Sequence, residues 1–218
     1  AYNSNCFLFP QIERLFRNCI HKKHTSQPKI IVGYHGNSNH LNHLSLGLHK
    51  VLERINKIHP IKLLVIGKDF DNWIQGRPNI EIEFRKWDYQ TAKSDIQEFD
   101  IGIVPNISDF SLSQNKDNNI ILGKYDSDIS LRFKNKSNIG RVLVLAQLGI
   151  PIVADITPSN MHLLANPDNG YAVLSMAGWY QAILELLDVD RRNFISNNAY
   201  QETKRLYDPL IWCRRLAK

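Results

Sequence analysis

The sequence predicts an α/β protein: a parallel sheet with helices on both of its faces. Three observations lead there. Short apolar runs such as KIIVGY, IKLLVIG and DIGIVP recur along the chain, and runs without a polar face suit strands buried on both sides. Stretches with helical apolar spacing separate them, which is the pattern of strand–helix–strand units. Each run stops at glycine, proline or a small polar cluster, so every strand has a defined end.

The organising stretch is Lys136 to Asp155, KSNIGRVLVLAQLGIPIVAD. A polar cluster (Lys136, Ser137, Asn138) precedes the apolar run from Arg141 to Leu148. Gly149 suits the position just past a helix C-terminus, where left-handed angles cost glycine little. Pro151 cannot continue a helix, and Ile150 to Ala154 reads as a buried strand. A helix start with a lysine, a serine and an asparagine beside backbone N–H groups suits a phosphate; an ordinary buried helix with a solvated first turn is the alternative.

The remaining elements follow in order. Residues 1–28 form a lead-in: Phe7 to Pro10 is a short apolar piece, Ile12 to Ile20 has one apolar helical face, and His21 to Pro28 reads as a polar linker. The domain proper, residues 29–218, opens with a strand at Lys29 to Tyr34 and a turn at His35 to Ser38. A helix is expected over Leu41 to Ile58, then strands at Ile61 to Gly67 and Ile80 to Phe84. A helix at Tyr89 to Glu98 precedes a strand at Asp100 to Pro105. Asn106 to Lys134 lacks pattern and reads as a long loop over the strand ends, or as a partly disordered one. After the organising stretch come a short helix at Asn160 to Ala165, a strand at Tyr171 to Leu174, helices at Ala177 to Leu187 and Arg191 to Tyr207, and a final turn around Trp212.

Composition narrows the partners. The 218 residues carry a net charge of +6 with a pI near 9.2, which suits an anionic partner: a sugar nucleotide, a membrane surface or a nucleic acid. No nucleic acid is expected, because no recognition motif or aromatic–basic platform accompanies the charge. No apolar run approaches the roughly 20 residues that cross a bilayer, and no signal-peptide pattern is present. Cys6, Cys19 and Cys213 lack metal or redox spacing, so the expected setting is the reduced cytoplasm, with the inner face of a membrane left open. Lys22, Lys23, Arg191, Arg192, Arg214 and Arg215 read as solvated charges, some of which could meet an anionic membrane. The chain begins with alanine, which reads as a piece of something longer.

Ligands of parallel sheets bind at the carboxyl ends of strands. The informative residues are then His35 to Ser38, Lys68 and Asp69, Asn106, and Asp155 to Asn160. Gly36 would let the backbone approach a ligand, and Asn37 and Ser38 serve a ligand or cap a helix equally well. Asp155 reads as a carboxylate for a ribose or sugar hydroxyl, or as a turn residue before Pro158. Asp100 reads as a turn cap, and Trp73, Trp87, Trp179 and Trp212 as packing residues. His35, His40, His43 and His49 lie close in sequence, but no carboxylate or cysteine stands at a useful spacing, so no metal and no cofactor is expected.

Four pieces in order carry a family resemblance: IIVGYHGN, DIGIVP, KSNIGRVLVLAQLGIPIVAD, and NGYAV with a helix near Trp179. Together they resemble the C-terminal, donor-binding half of GT-B glycosyltransferases, and most of all the retaining glycosyl transferases group 1 family. The resemblance spans about residues 29 to 215 and implies a Rossmann-like half of a GT-B fold. It implies binding of a nucleotide sugar for transfer, with retention, to a glycan or lipid-linked acceptor held by a separate N-terminal half. The implied donor-binding residues are His35, Gly36, Asn37, Lys136, Ser137, Asn138, Arg141 and Asp155, with Lys136 and Arg141 neutralising the leaving diphosphate. The family's ribose-binding glutamate falls at Val144, and Arg132 to Ile152 contains no carboxylate. That departure favours the alternative of a catalytically silent Rossmann-like module with a binding or assembly role. Lacking the acceptor half, the chain is expected to bind donor without turning it over.

Overall fold

A computed structural model describes residues 19–71, 73–105 and 139–217 of the chain, apart from the side chains of residues 39 and 43. Six strands form one sheet: β1 (Ile30–His35), β2 (Ile61–Gly67), β3 (Glu81–Lys86), β4 (Ile101–Val104), β5 (Ile152–Asp155) and β6 (Tyr171–Val173). Their spatial order is β3-β2-β1-β4-β5-β6, and every pairing is parallel. This is the doubly wound order that changes direction between β1 and β4, opening a crevice at their carboxyl ends.

The helices are α1 (Leu48–Asn56), α2 (Ala92–Gln97), α3 (Gly140–Leu148), α4 (Met161–Leu164), α5 (Met176–Glu185), α6 (Val189–Tyr207) and α7 (Pro209–Leu216). Alternation along the strands sorts them between the two faces. Val32, Tyr34, Leu63 and Val65 pack with Leu52 and Ile55 of α1 and with Trp179 and Ile183 of α5. Leu64, Ile66, Val104 and Ile152 pack with Ile96 of α2, Val142 to Leu148 of α3, Leu163 of α4 and Ala199 of α6. Helices therefore cover both faces, as the uninterrupted apolar runs require.

Element ends differ from expectation where a glycine or a cap intervenes. The helix expected from Leu41 is a 3-10 helix over Ser38–Leu46, followed by α1. Gly47 divides them: its φ is 126°, and a Cβ there would stand 2.9 Å from Met176 Cγ of α5. At Gly149, φ 74°, the backbone is left-handed, and Ile150 N–H donates to Leu145 O at 2.9 Å. That closure ends α3 and delays β5 to Ile152. The expected last turn around Trp212 is the eight-residue α7. Asp208 Oδ1 accepts from Leu210 N–H at 2.9 Å, and Pro209 occupies the first helical position.

The stretch His21 to Pro28, read as a linker, is packed against the amino ends of the strands. Lys22 N–H donates to Leu148 O at 3.1 Å. Lys22 Nζ reaches Phe99 O at 2.8 Å and Asp100 Oδ1 at 3.1 Å. His24 Nε2 stands 2.9 Å from Gly149 O. Arg192, fully buried, donates to Leu186 O, Leu187 O and Thr25 O. Lys22 and Arg192 are thus parts of the core rather than solvated charges.

Asp100 likewise does more than cap a turn. Its Oδ2 accepts from Ile31 N–H of β1 at 3.0 Å. Burial pushes its carboxyl up, but the His24 ring and the Lys22 ammonium outweigh burial and hold it below the usual carboxylate range. His24 Nδ1 lies 3.8 Å from Oδ1, beyond hydrogen-bond length, so Lys22 is the closer partner. Removing one member of a buried pair strands the other charge. Asp100→Ala is expected to lower unfolding free energy by about 3–5 kcal/mol, read from urea denaturation; a loss under about 1 kcal/mol, the ceiling for exposed pairs, would show that the network is solvated.

Candidate functional site

All six strands end at one edge, and the candidate site is assembled there. β1 ends at His35 and β2 at Gly67, and Gly36 N–H donates to Ile66 O at 3.0 Å, so the chain turns directly over β2. Gly36 has φ 132°, and a Cβ there would meet Arg141 Cδ and Tyr34 Oη, each at 3.3 Å. Only glycine fits that backbone and that space without strain. Tyr34 Oη donates to Asn37 O at 2.6 Å, while Arg141 Nη1 donates to Tyr34 Oη at 3.2 Å. This relay ties the Gly36 turn to the first turn of α3 across the point where the strand order reverses.

On the other side of the turn lies a cavity of about 350 Å³, lined by His35, Gly36, Asn37, Ser38, Gly67, Lys68, Asp69 and Trp87. Trp87 follows β3 directly and its N–H donates to Gly67 O at 2.7 Å. Its ring lies 6.4 Å from the His35 ring, with 27° between the planes. Ser38 Oγ donates to Asp69 Oδ1 at 3.3 Å, joining the β1 and β2 loops. The cavity thus offers a half-buried indole, an ammonium, a carboxylate and two small-residue turns. It has the size and the mixed apolar and polar lining of a small-molecule site. A second cavity, of about 240 Å³, lies between the last turn of α3 and the far end of α6, at Gln147, Tyr200, Thr203 and Tyr207. It sits away from the strand ends.

The electrostatics of the turn are set by burial. Desolvation first and the Arg141 guanidinium second, against a backbone hydrogen bond at Arg141, push the His35 imidazolium down to about 3. His35 is therefore neutral at physiological pH, with a buried Nε2 that has no protein partner. Burial raises the Tyr34 phenol, against the pull of Arg141, so it stays a hydroxyl. Arg141 is half-buried at the start of α3, where a helix dipole favours an anion.

The expected site residues divide into three groups. His35, Gly36 and Asn37 line the cavity, and Arg141 closes on Gly36 and Tyr34 beside it. Asp155 lies at the same edge, buried, with Oδ1 accepting from Trp179 Nε1 of α5 at 3.0 Å. It therefore helps to hold α5, and its backbone O accepts from Asn160 Nδ2 at 3.0 Å. Lys136, Ser137, Asn138 and the loop from Asn106 lie outside the described residues. Trp87, read from sequence as a packing residue, is a wall of the cavity. Its place just after a strand end is the signal that identifies it. Of the neighbouring histidines, His35 belongs to the cavity, while His49 Nδ1 pairs with Leu44 O at 2.7 Å.

A pH dependence follows from His35. The folded state resists protonating this ring while the unfolded chain accepts a proton near 6.5, so stability is full above about pH 6.5 and falls as pH drops toward 3. His35→Gln is expected to flatten that acid limb of a melting-temperature profile. An unchanged limb would mean that His35 is solvated.

In sequence the chain matches no protein-family model and no curated protein. In structure it is similar to TarM of S. aureus, with a TM-score of 0.61 at 14% identity over 92% of this chain and 37% of TarM. It is similar to Anabaena HepE in complex with UDP and glucose, with a TM-score of 0.58 at 11% identity over 87% of this chain and 47% of that one. The C-terminal domain of a glycosyl transferase group 1 family protein (LpcC) from Francisella tularensis matches with a TM-score of 0.53 at 13% identity, over 92% of this chain and 96% of that domain. The chain spans less than half the length of TarM and HepE. The fold is that of the C-terminal, Rossmann-like half of a GT-B glycosyltransferase.

Proposed function

We propose that this chain is the donor-binding half of a glycosyltransferase and holds a nucleotide sugar at the carboxyl edge of its sheet. The observation that carries the reading is the Gly36 turn, with a nucleoside-sized cavity on one side and the Arg141 guanidinium on the other. The base stacks beside Trp87, and the diphosphate crosses the turn toward the start of α3, where Lys136, Ser137 and Asn138 precede Arg141 in sequence. Two structural neighbours, TarM and HepE, have been solved in complexes with UDP, which makes UDP the first donor nucleotide to try.

In the transfer step, the bond between the anomeric carbon and the diphosphate oxygen breaks, and the acceptor hydroxyl forms the new bond and loses its proton. The nucleoside diphosphate leaves with the bonding electrons and takes up that proton on its departing oxygen. Arg141 and Lys136 stabilise the charge that builds on that leaving group, which is the usual electrostatic route to lowering such a barrier. The acceptor, a glycan or a lipid-linked sugar, is held by a second half in enzymes of this architecture, and transfer proceeds with retention as the resemblance implies. The setting is the reduced cytoplasm, consistent with the free thiols of Cys19 and Cys213.

One observation favours the catalytically silent alternative. Val144, at the position of the family's ribose-binding glutamate, is buried in the apolar cluster beneath α3. Nucleotide titration separates the two readings. A charge-assisted contact to phosphate contributes about 1.5–3 kcal/mol, or roughly ten- to hundredfold in affinity. Arg141→Ala and Lys136→Ala are each expected to weaken UDP binding by that factor in calorimetry while leaving uridine binding unchanged. Absence of nucleoside diphosphate binding by the folded wild-type chain would establish the silent module. The 218-residue chain is also expected to transfer no sugar alone; multiple turnovers with donor and acceptor would contradict the assignment of acceptor binding to another half.

A further inference from the structure

In the donor site proposed above, Trp87 stands by the base and Arg141 by the diphosphate, and the ribose that joins them has no partner. The family's ribose ligand would stand at Val144, about one turn along α3 from Arg141. An apolar side chain, 6% exposed, occupies that place and accepts no hydrogen bond. A ribose held here needs an acceptor from elsewhere, because a buried hydroxyl without a partner costs affinity.

His35 is the residue that reaches both flanking groups. Its ring lies 6.4 Å from that of Trp87, and it shares a hydrogen bond with the backbone of Arg141. That bond favours the protonated ring, so the imidazole is its donor. Nε2 has no protein partner, which assigns the donated proton to Nδ1. The neutral ring then presents Nε2 as a bare acceptor. His35 is itself buried and lines the cavity beside Gly36 and Trp87. A buried acceptor that meets no donor is rare in a folded protein and calls for an explanation. The cavity's other side chains able to accept, Asn37, Ser38 and Asp69, take part in interactions of their own, and Lys68 can only donate.

We infer, on the footing of the nucleotide site proposed above, that His35 Nε2 accepts a ribose hydroxyl of the donor and takes the task that the family gives to a glutamate at the position of Val144. His35 is then a binding residue: it moves no proton in the transfer. The contact makes the site selective for a ribonucleotide. A sugar without hydroxyls leaves Nε2 buried and unpaired, and sites built around such a bond discriminate against analogues that lack it.

Calorimetric titration of the full chain with UDP and with dideoxy-UDP, which lacks both ribose hydroxyls, tests the inference. The wild-type chain is expected to bind UDP about five- to tenfold more tightly than dideoxy-UDP, the worth of one neutral hydrogen bond. His35→Asn keeps a donor near the place of Nδ1 and removes Nε2. It should weaken UDP binding by that factor and leave dideoxy-UDP unchanged, so that the two ligands bind alike. His35→Gln, whose amide reaches the place of Nε2, should restore most of the preference, and melting temperatures check that each variant is folded. Equal binding of the two ligands by the wild-type chain, or an equal loss of both in His35→Asn, overturns the inference and leaves the nucleotide site standing. So does a preference that survives His35→Asn and disappears in Asp69→Asn. No binding of UDP by the folded wild-type chain overturns the inference and the nucleotide site together. If His35→Asn does not fold, a crystal structure of the wild-type chain with UDP decides: a ribose hydroxyl within about 3.2 Å of Nε2 upholds the contact, and a longer separation overturns it.

Discussion

Burial of β1 and β2 on both faces is the constraint on which the rest of the molecule depends. Val32 and Leu63 are closed off by one helical layer, and Leu64 and Ile66 by the other. A strand enclosed in this way accommodates few polar groups along its length, because each would need a partner inside the core. Polar chemistry is therefore displaced to the two ends of the sheet, and the two ends do different work. At the amino edge, Lys22 pairs with Asp100, and Lys22, His24 and Arg192 each reach nearby carbonyls. At the carboxyl edge, the groups around Gly36 leave a cavity between them.

The asymmetry has a chemical cause. At the amino edge the charges pair locally: the Lys22 ammonium lies on Asp100, which also receives the β1 amide of Ile31. Such a network fixes the entry of the chain into the domain. At the carboxyl edge, a neutral imidazole, an indole and a guanidinium surround a turn that only glycine can make. Keeping His35 neutral matters to this arrangement, since an imidazolium beside Arg141 would add repulsion within the turn. The relay from Arg141 through Tyr34 to Asn37 then sets how far α3 stands from the β1 loop.

Much of the fold was legible because two-sided burial writes itself into sequence as uninterrupted apolar runs. The strands at Ile61 to Gly67 and around Ile103, the glycine stop at Gly149, and the break at Asp208-Pro209 could all be read directly. What the sequence concealed was long-range. Nothing local distinguishes Lys22 from a solvated charge, since Asp100 lies more than 70 residues away, and the Thr25 carbonyl that Arg192 reaches besides those of Leu186 and Leu187 lies more than 160 residues away. The glycine at position 47 sits inside a good helical pattern, and only the approach of Met176 shows why the helix starts after it. The site was legible as strand ends. Trp87 was missed because aromatic residues in a core-rich sequence default to packing, and Asp155 acquires its tie to Trp179 from a helix that follows later in the chain.

The central claim is that the carboxyl-edge cavity and the Gly36 turn together form one nucleotide site. The most direct measurement is a crystal structure of the chain with UDP at saturating concentration. The account predicts the diphosphate within hydrogen-bond distance of the 36–38 turn and Arg141, and the base beside Trp87. UDP bound only in the α3–α6 cavity, or absent from the carboxyl edge at that concentration, would contradict it.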